Sequence, residues 1–146
     1  MPKITNLNSI QVLDSRGTPT IRTFITLDNK FTGIATVPSG ASTGKYEAVE
    51  IRDNIPEKFL GKSVNKCLEI IETKIKPEIM DSQFNSLEEF DRILIDLDNT
   101  NDKSYLGANT LLSLSMSFSK SIALSQNLEL FESFDSNTTS YKSPVP

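Results

Sequence analysis

The hydrophobic period of this chain changes once, and the order of the two periods is what most limits its fold. Three segments come first, Ile4 to Leu13, Thr20 to Leu27 and Phe31 to Val37, all rich in Ile, Val, Thr and Phe. Asp14-Ser15-Arg16-Gly17-Thr18-Pro19 separates the first two, and Asp28-Asn29-Lys30 is a tight turn between the second and third. A three-stranded antiparallel meander is predicted. From Tyr46 onward the period becomes helical, and Val64, Cys67, Leu68, Ile71 and Ile75 share one face up to Pro77, where the helix is expected to stop. Ser86 and Glu89 read as a capping box ahead of Leu87, Phe90, Leu94 and Leu97. A third helix is expected from about Gly107 to Ser125, with Leu111, Leu114, Phe118 and Ile122 on one face. Its second stripe, Ala108, Leu112, Ser115, Ser119 and Ala123, predicts close approach of another helix and burial on two sides. Strands first and helices afterwards is the α+β order, a helical bundle laid on one face of a sheet.

Composition removes most chemistry. The 146 residues contain no histidine, so no Ser-His-Asp triad, Cys-His dyad, His-ligated zinc or histidine acid/base can be built from them alone. One cysteine, Cys67, excludes an intrachain disulfide and a CxxC pair; it lies on an apolar helix face and reads as a buried structural thiol. Fifteen Lys and Arg against 19 Asp and Glu give a net charge of −4 without a basic cluster, which argues against nucleic acid or an anionic membrane as partner. The longest uncharged run, Ser104 to Ser119, is too short and too rich in hydroxyls for a membrane span. With no apolar segment after Met1-Pro2-Lys3 to act as a secretory signal, a cytoplasmic location is expected.

One segment calls for a chemical explanation. Pro38 is followed by six consecutive small residues, Ser39, Gly40, Ala41, Ser42, Thr43 and Gly44, between the third strand and the helix expected to open near Tyr46. Small side chains let backbone N–H groups approach a ligand, and a helix N-terminus behind them would favour a phosphate or carboxylate. A Walker A loop is excluded: Gly40 and Gly44 enclose three residues instead of four, and Tyr46 stands where a Ser or Thr would bind Mg2+. A plain Gly/Ser surface turn remains the competing account.

Context bears on that choice. Val12-Leu13-Asp14-Ser15-Arg16-Gly17, then Val37 to Gly44, then Tyr46-Glu47-Ala48-Val49-Glu50-Ile51-Arg52-Asp53 occur in that order, joined by Gly61-Lys62, Leu97-Asp98, Leu106-Gly107-Ala108-Asn109 and Pro144-Val145-Pro146. Taken together, these segments closely resemble the N-terminal domain of enolase, over essentially the whole chain. The resemblance implies a parent enzyme, phosphopyruvate hydratase, which dehydrates 2-phosphoglycerate to phosphoenolpyruvate with Mg2+. It also implies that the catalytic base, acid and tight metal site lie in a C-terminal barrel, so that no catalytic residue is expected in this chain. Residues 1–134 would be the α+β domain and 135–146 a linker toward that barrel. By the same resemblance, Ser39 to Gly44 is a lid loop over substrate, and Ser42 supplies oxygen to a second, weaker Mg2+. Asp14 and Arg16 match positions near a subunit interface of a homodimer or higher homo-oligomer, although an Asp-Ser-Arg-Gly corner is also an ordinary Asx turn.

Glu47 and Glu50 beside the loop read as a solvated helix face without catalytic role. Thr18, Ser63, Asn99, Thr110 and Ser113 depart from the family pattern, and the serines are expected to bond back to carbonyls of the preceding turn. Two other functions compete: the capping domain of another enzyme of the wider superfamily, and a stand-alone binding module that has kept the fold and lost the chemistry.

Overall fold

A computed structural model describes residues 2–39, 44–134, 140 and 142. Three strands, β1 (Ile4–Leu13), β2 (Pro19–Leu27) and β3 (Phe31–Thr36), pair antiparallel in the order β1-β2-β3. Register places Leu7 opposite Ile25 and Ile25 opposite Gly33, so alternate residues of all three strands face one way. That face holds Leu7, Ile21, Ile25, Leu27 and Ala35, all buried, while Asn8, Arg22 and Thr32 on the other face are exposed. The meander and the one-sided cover agree with the sequence reading.

Helices supply the cover. Asn65–Ile70 (α1) runs through a π-helical turn at Ile71–Ile75 into α2 (Lys76–Ile79), followed by α3 (Leu87–Asp98), α4 (Ala108–Ser125) and the single turn α5 (Leu130–Ser133). The helix therefore does not stop at Pro77. A proline cannot donate its amide, and its ring would strike the carbonyl four residues back in a continued α-helix. The wider π turn ahead of it opens that contact, and the chain stays helical long enough to bury Ile79.

Nor does a helix open at Tyr46. Lys45 and Tyr46 lie in a turn, residues 47–55 have no regular structure, and only a short 3-10 turn (Phe59–Gly61) precedes α1. The amides that a helix would have used internally are committed elsewhere: Val49 donates to Asp102 O (2.7 Å), Ile51 to Asn109 Oδ1 (3.1 Å) and Asp53 to Ser63 O (2.8 Å). Glu47 and Glu50 are thus on an irregular strap, not on a helix.

At α3 the predicted cap is half as expected. Ser86 Oγ accepts from the Glu89 amide (3.2 Å), but Glu89 reaches past Ser86 to the amide of Asn85 (2.7 Å) and its side chain (3.0 Å). Phe90 and Leu94 on this helix are buried with Phe84, and the rings of Phe84, Phe90 and Phe118 form one cluster, Phe90 stacked on Phe118 at 4.1 Å.

Helix α4 spans the predicted range, but its small-residue stripe differs from the expected one. Leu112 is 43% exposed, although Ser119 and Ala123 of that stripe are buried; Thr110, Ser113, Ser117 and Ser121 are fully buried, Thr110 beside Cys67 of α1 and the three serines against the sheet. A Cβ on Gly33 would stand 2.1 Å from Ser117 O and 2.4 Å from Ser121 N, so backbone lies on backbone here and only glycine fits β3 at this point. Ser117 Oγ donates to Gly33 O (2.8 Å), and Thr23 Oγ1 donates to Ser113 Oγ (3.0 Å). As expected, several α4 serines bond back to the preceding turn: Ser113 to Thr110 O, Ser119 to Ser115 O and Ser121 to Phe118 O.

Candidate functional site

Strand β3 ends beside the start of β2. Past its last residue the chain stays tethered, with the Val37 amide on Ile21 O (3.0 Å) and Thr20 Oγ1 donating to Val37 O (2.8 Å). Two guanidiniums then meet at Ser39. Arg16 Nη2 donates to Ser39 O at 2.6 Å, and Arg52 Nη2 donates to Ser39 Oγ at 2.9 Å. Gly40, Ala41, Ser42 and Thr43, four of the six predicted lid residues, lie outside the described residues. The chain is described again at Gly44, whose carbonyl accepts from the Glu47 amide at 3.2 Å.

Each arginine is itself placed by local structure. Asp14 Oδ1 accepts from the amides of Arg16 and Thr18 (both 2.8 Å), the Asx turn that the sequence allows, and its carboxyl is held below the ordinary range by the Thr18 amide first and by Arg16. The ordinary-turn account therefore explains every hydrogen bond of Asp14. Arg52 sits on the irregular strap with its side chain mostly buried. Its Nη1 donates to Pro19 O (2.5 Å) and Lys62 O (2.9 Å), and its Nη2 also meets Glu50 Oε2 (3.0 Å). One planar fork thus joins β2, the strap, the 3-10 turn region and Ser39.

Beside this junction lies a cleft of about 670 Å³ whose walls include Val37, Pro38, Gly44, Glu47, Leu112 and Arg52. Its charged groups are mixed in sign. The start of α4, Ala108 and Asn109, forms part of its wall, but the Ala108 amide is taken by Val49 O (2.8 Å); Glu47 and Glu50 bring two carboxylates, and the guanidinium of Arg52 is already engaged by four oxygens. Among the described residues, no group of three or more His, Cys, Asp or Glu could hold a metal ion.

Two carboxylates that sequence reasoning passed over, Asp53 half-buried and Asp98 buried, organise the neighbouring chain. Burial of Asp53 opposes its ionisation, but Ser63 Oγ (2.6 Å), the Lys66 amide and Asn65 outweigh it and bring its pKa down to about 2. Ser63 is one of the noted departures, and its hydroxyl has a definite use here. Asp98 accepts from Thr100 and from the Leu106 amide (2.7 Å), shaping the connection into α4, where Gly107 takes φ 91°. Asn99, another departure, ends α3 in the left-handed region at φ 51°, which asparagine tolerates better than most residues. Cys67 is buried as expected, its thiol pushed up by desolvation.

A meander covered on one face by helices, with the chain after β3 gripped at Ser39 beside a cleft, defines an α+β domain. The chain belongs to the enolase family: the model of the enolase N-terminal domain matches residues 4–134. It is 43% identical to the enolase of Mycoplasma genitalium over 99% of its own length, 43% to that of Desulfotalea psychrophila over 88%, and 41% to enolase 1 of Chlorobaculum tepidum over 99%. It spans 32%, 30% and 34% of those relatives, about a third of their length. Among the described residues no helix is long and apolar enough to cross a membrane.

Proposed function

We propose that this domain works as the lid-bearing part of a phosphopyruvate hydratase of glycolysis, in a longer cytoplasmic parent that dehydrates 2-phosphoglycerate to phosphoenolpyruvate. The observation that carries this reading is the match to the enolase N-terminal domain over residues 4–134, in a chain that spans about a third of its relatives. Ser39 to Gly44 closes over substrate held by the rest of the parent, excluding water from the reacting centre. Ser42 contributes one oxygen to a second Mg2+. Serine and main-chain oxygens are hard donors that suit this ion, yet one residue cannot complete an octahedral shell, so water, substrate and the rest of the parent supply the remaining ligands. When bound, the ion neutralises charge on the carboxylate and phosphate oxygens of substrate. This chain contributes position and enclosure, and alone it performs no dehydration. Asp14 and Arg16 lie near the subunit boundary of a homodimer or higher homo-oligomer, their turn presented at the same end of the sheet as Ser39.

Ser42→Ala in the full-length parent tests the reading. The expected result is turnover lowered by about tenfold or more and a raised half-saturating Mg2+ concentration, with unchanged thermal unfolding. Unchanged Mg2+ dependence would reduce Ser42 to a turn residue and remove the lid reading.

A further inference from the structure

We propose that Arg52, together with Arg16, is a positioning residue for the parent's reaction: the two guanidiniums fix the main chain at Ser39 from opposite chemical handles, one on the carbonyl and one on the hydroxyl. This inference rests on the lid reading and adds to it Arg52, which that reading does not use, and a second role for Arg16. From sequence, Arg52 is only a member of the Tyr46 to Asp53 segment that carries the family resemblance, and Arg16 either lies near a subunit interface or belongs to an ordinary turn.

The geometry separates the two ends of the connection. At Gly44, among the described residues, the chain is held by one turn hydrogen bond of 3.2 Å from the Glu47 amide, and Tyr46 in that turn is 92% exposed. At Ser39 two charge-assisted hydrogen bonds of 2.6 and 2.9 Å converge on one residue. Arg52 is rigid enough to act as a fixed point. Pro19 O and Lys62 O anchor one nitrogen and Glu50 Oε2 braces the other, so the bond to Ser39 Oγ costs little further ordering. Arg16 is tied in turn through its own amide to Asp14, within a turn closed by the Thr18 and Gly17 amides. Ser42 is three residues beyond Ser39, so the chain length between them limits its reach to about 10 Å from wherever Ser39 is held. A group misplaced by about 1 Å loses much of its effect on a reaction even when it is still present.

Arg52 also supports the fold through Pro19 and Lys62, so its truncation alone cannot separate positioning from stability. Ser39→Ala and Arg16→Ala can. Each removes one of the two clasps and leaves Arg52's other three contacts in place. In the full-length parent, each single variant should raise the half-saturating Mg2+ concentration and the calorimetric Kd for 2-phosphoglycerate by about three- to tenfold. The melting temperature should stay within about 2 °C of the parent's. Arg52→Lys, which keeps the charge but not the fork, should weaken binding at least as much as Ser39→Ala and should also lower the melting temperature. Binding and Mg2+ dependence unmoved in Ser39→Ala and Arg16→Ala would overturn the proposal and leave a purely structural clasp. Ser42→Ala distinguishes the two failures: if it shifts Mg2+ dependence while the clasp variants do not, only the positioning role falls, and if it does not, the lid reading falls as well.

Discussion

Toward α3, helix α4 presents Phe118, which stacks on Phe90 at 4.1 Å and meets Phe84 edge-on at 5.6 Å. Toward the sheet it presents Ser113, Ser117 and Ser121, opposite a glycine whose missing side chain lets two backbones touch. Both faces are fully buried, by opposite means. On the first, burial comes from filling space with rings, and the gain follows the apolar area removed from water. On the second, it comes from leaving space out, so that close approach replaces volume and each exposed polar atom must find a partner. Burial as a number does not distinguish them, whereas the response to a change in side-chain size does.

The largest effect is expected on the aromatic face. Phe118→Ala removes the ring shared by both contacts and should cost about 3–5 kcal/mol in denaturant unfolding, with binding of a dye for exposed apolar surface if the cavity loosens the cluster. A cost below about 1 kcal/mol would show that this face repacks as a fluid. Next comes Gly33→Ala, an addition instead of a deletion. Its methyl cannot be placed without moving α4 off the sheet, and the loss should be about 2–3 kcal/mol, read as a lower midpoint at unchanged slope. Were this variant as stable as the parent, backbone contact would not be what holds this face. The smallest effect should follow Ser117→Ala, about 1 kcal/mol from the lost bond to Gly33 O, with the volume nearly unchanged. A gain in stability there would mean that the hydroxyl is tolerated in the contact and not used by it.

These two faces also mark what the sequence makes legible. Phe90, Leu94, Leu114 and Phe118 recur at helical spacing, and their burial follows from period alone. The strands are bounded by turn residues that the structure uses as turns. Small residues repeat on α4 in more than one register, and spacing cannot say which register meets the sheet: Ser113, Ser117 and Ser121 do, while in the expected stripe Ser119 and Ala123 are buried and Leu112 is exposed. Residues 47–55 carry enough apolar positions to suggest a helix, but their amides are claimed by Asp102, Asn109 and Ser63, partners up to 58 residues away. For the same reason the junction at Ser39 escapes a linear reading: Arg52 reaches back 33 residues to Pro19, and nothing in local pattern marks that distance. Family resemblance located the connection after β3, and only the fold shows what grips it.

The bond between Ser117 and Thr23 has a consequence for synthesis. It joins positions 94 residues apart, and the helix that covers the sheet is among the last structured elements to be made. A ribosome adding about 5–20 residues per second leaves roughly 5–20 s between completion of the meander and emergence of α4. For that interval Ile21, Ile25 and Leu27 form a sticky ribbon on a nascent chain with no native cover to collapse onto. The arrival of α4 is thus the step that takes this face out of water.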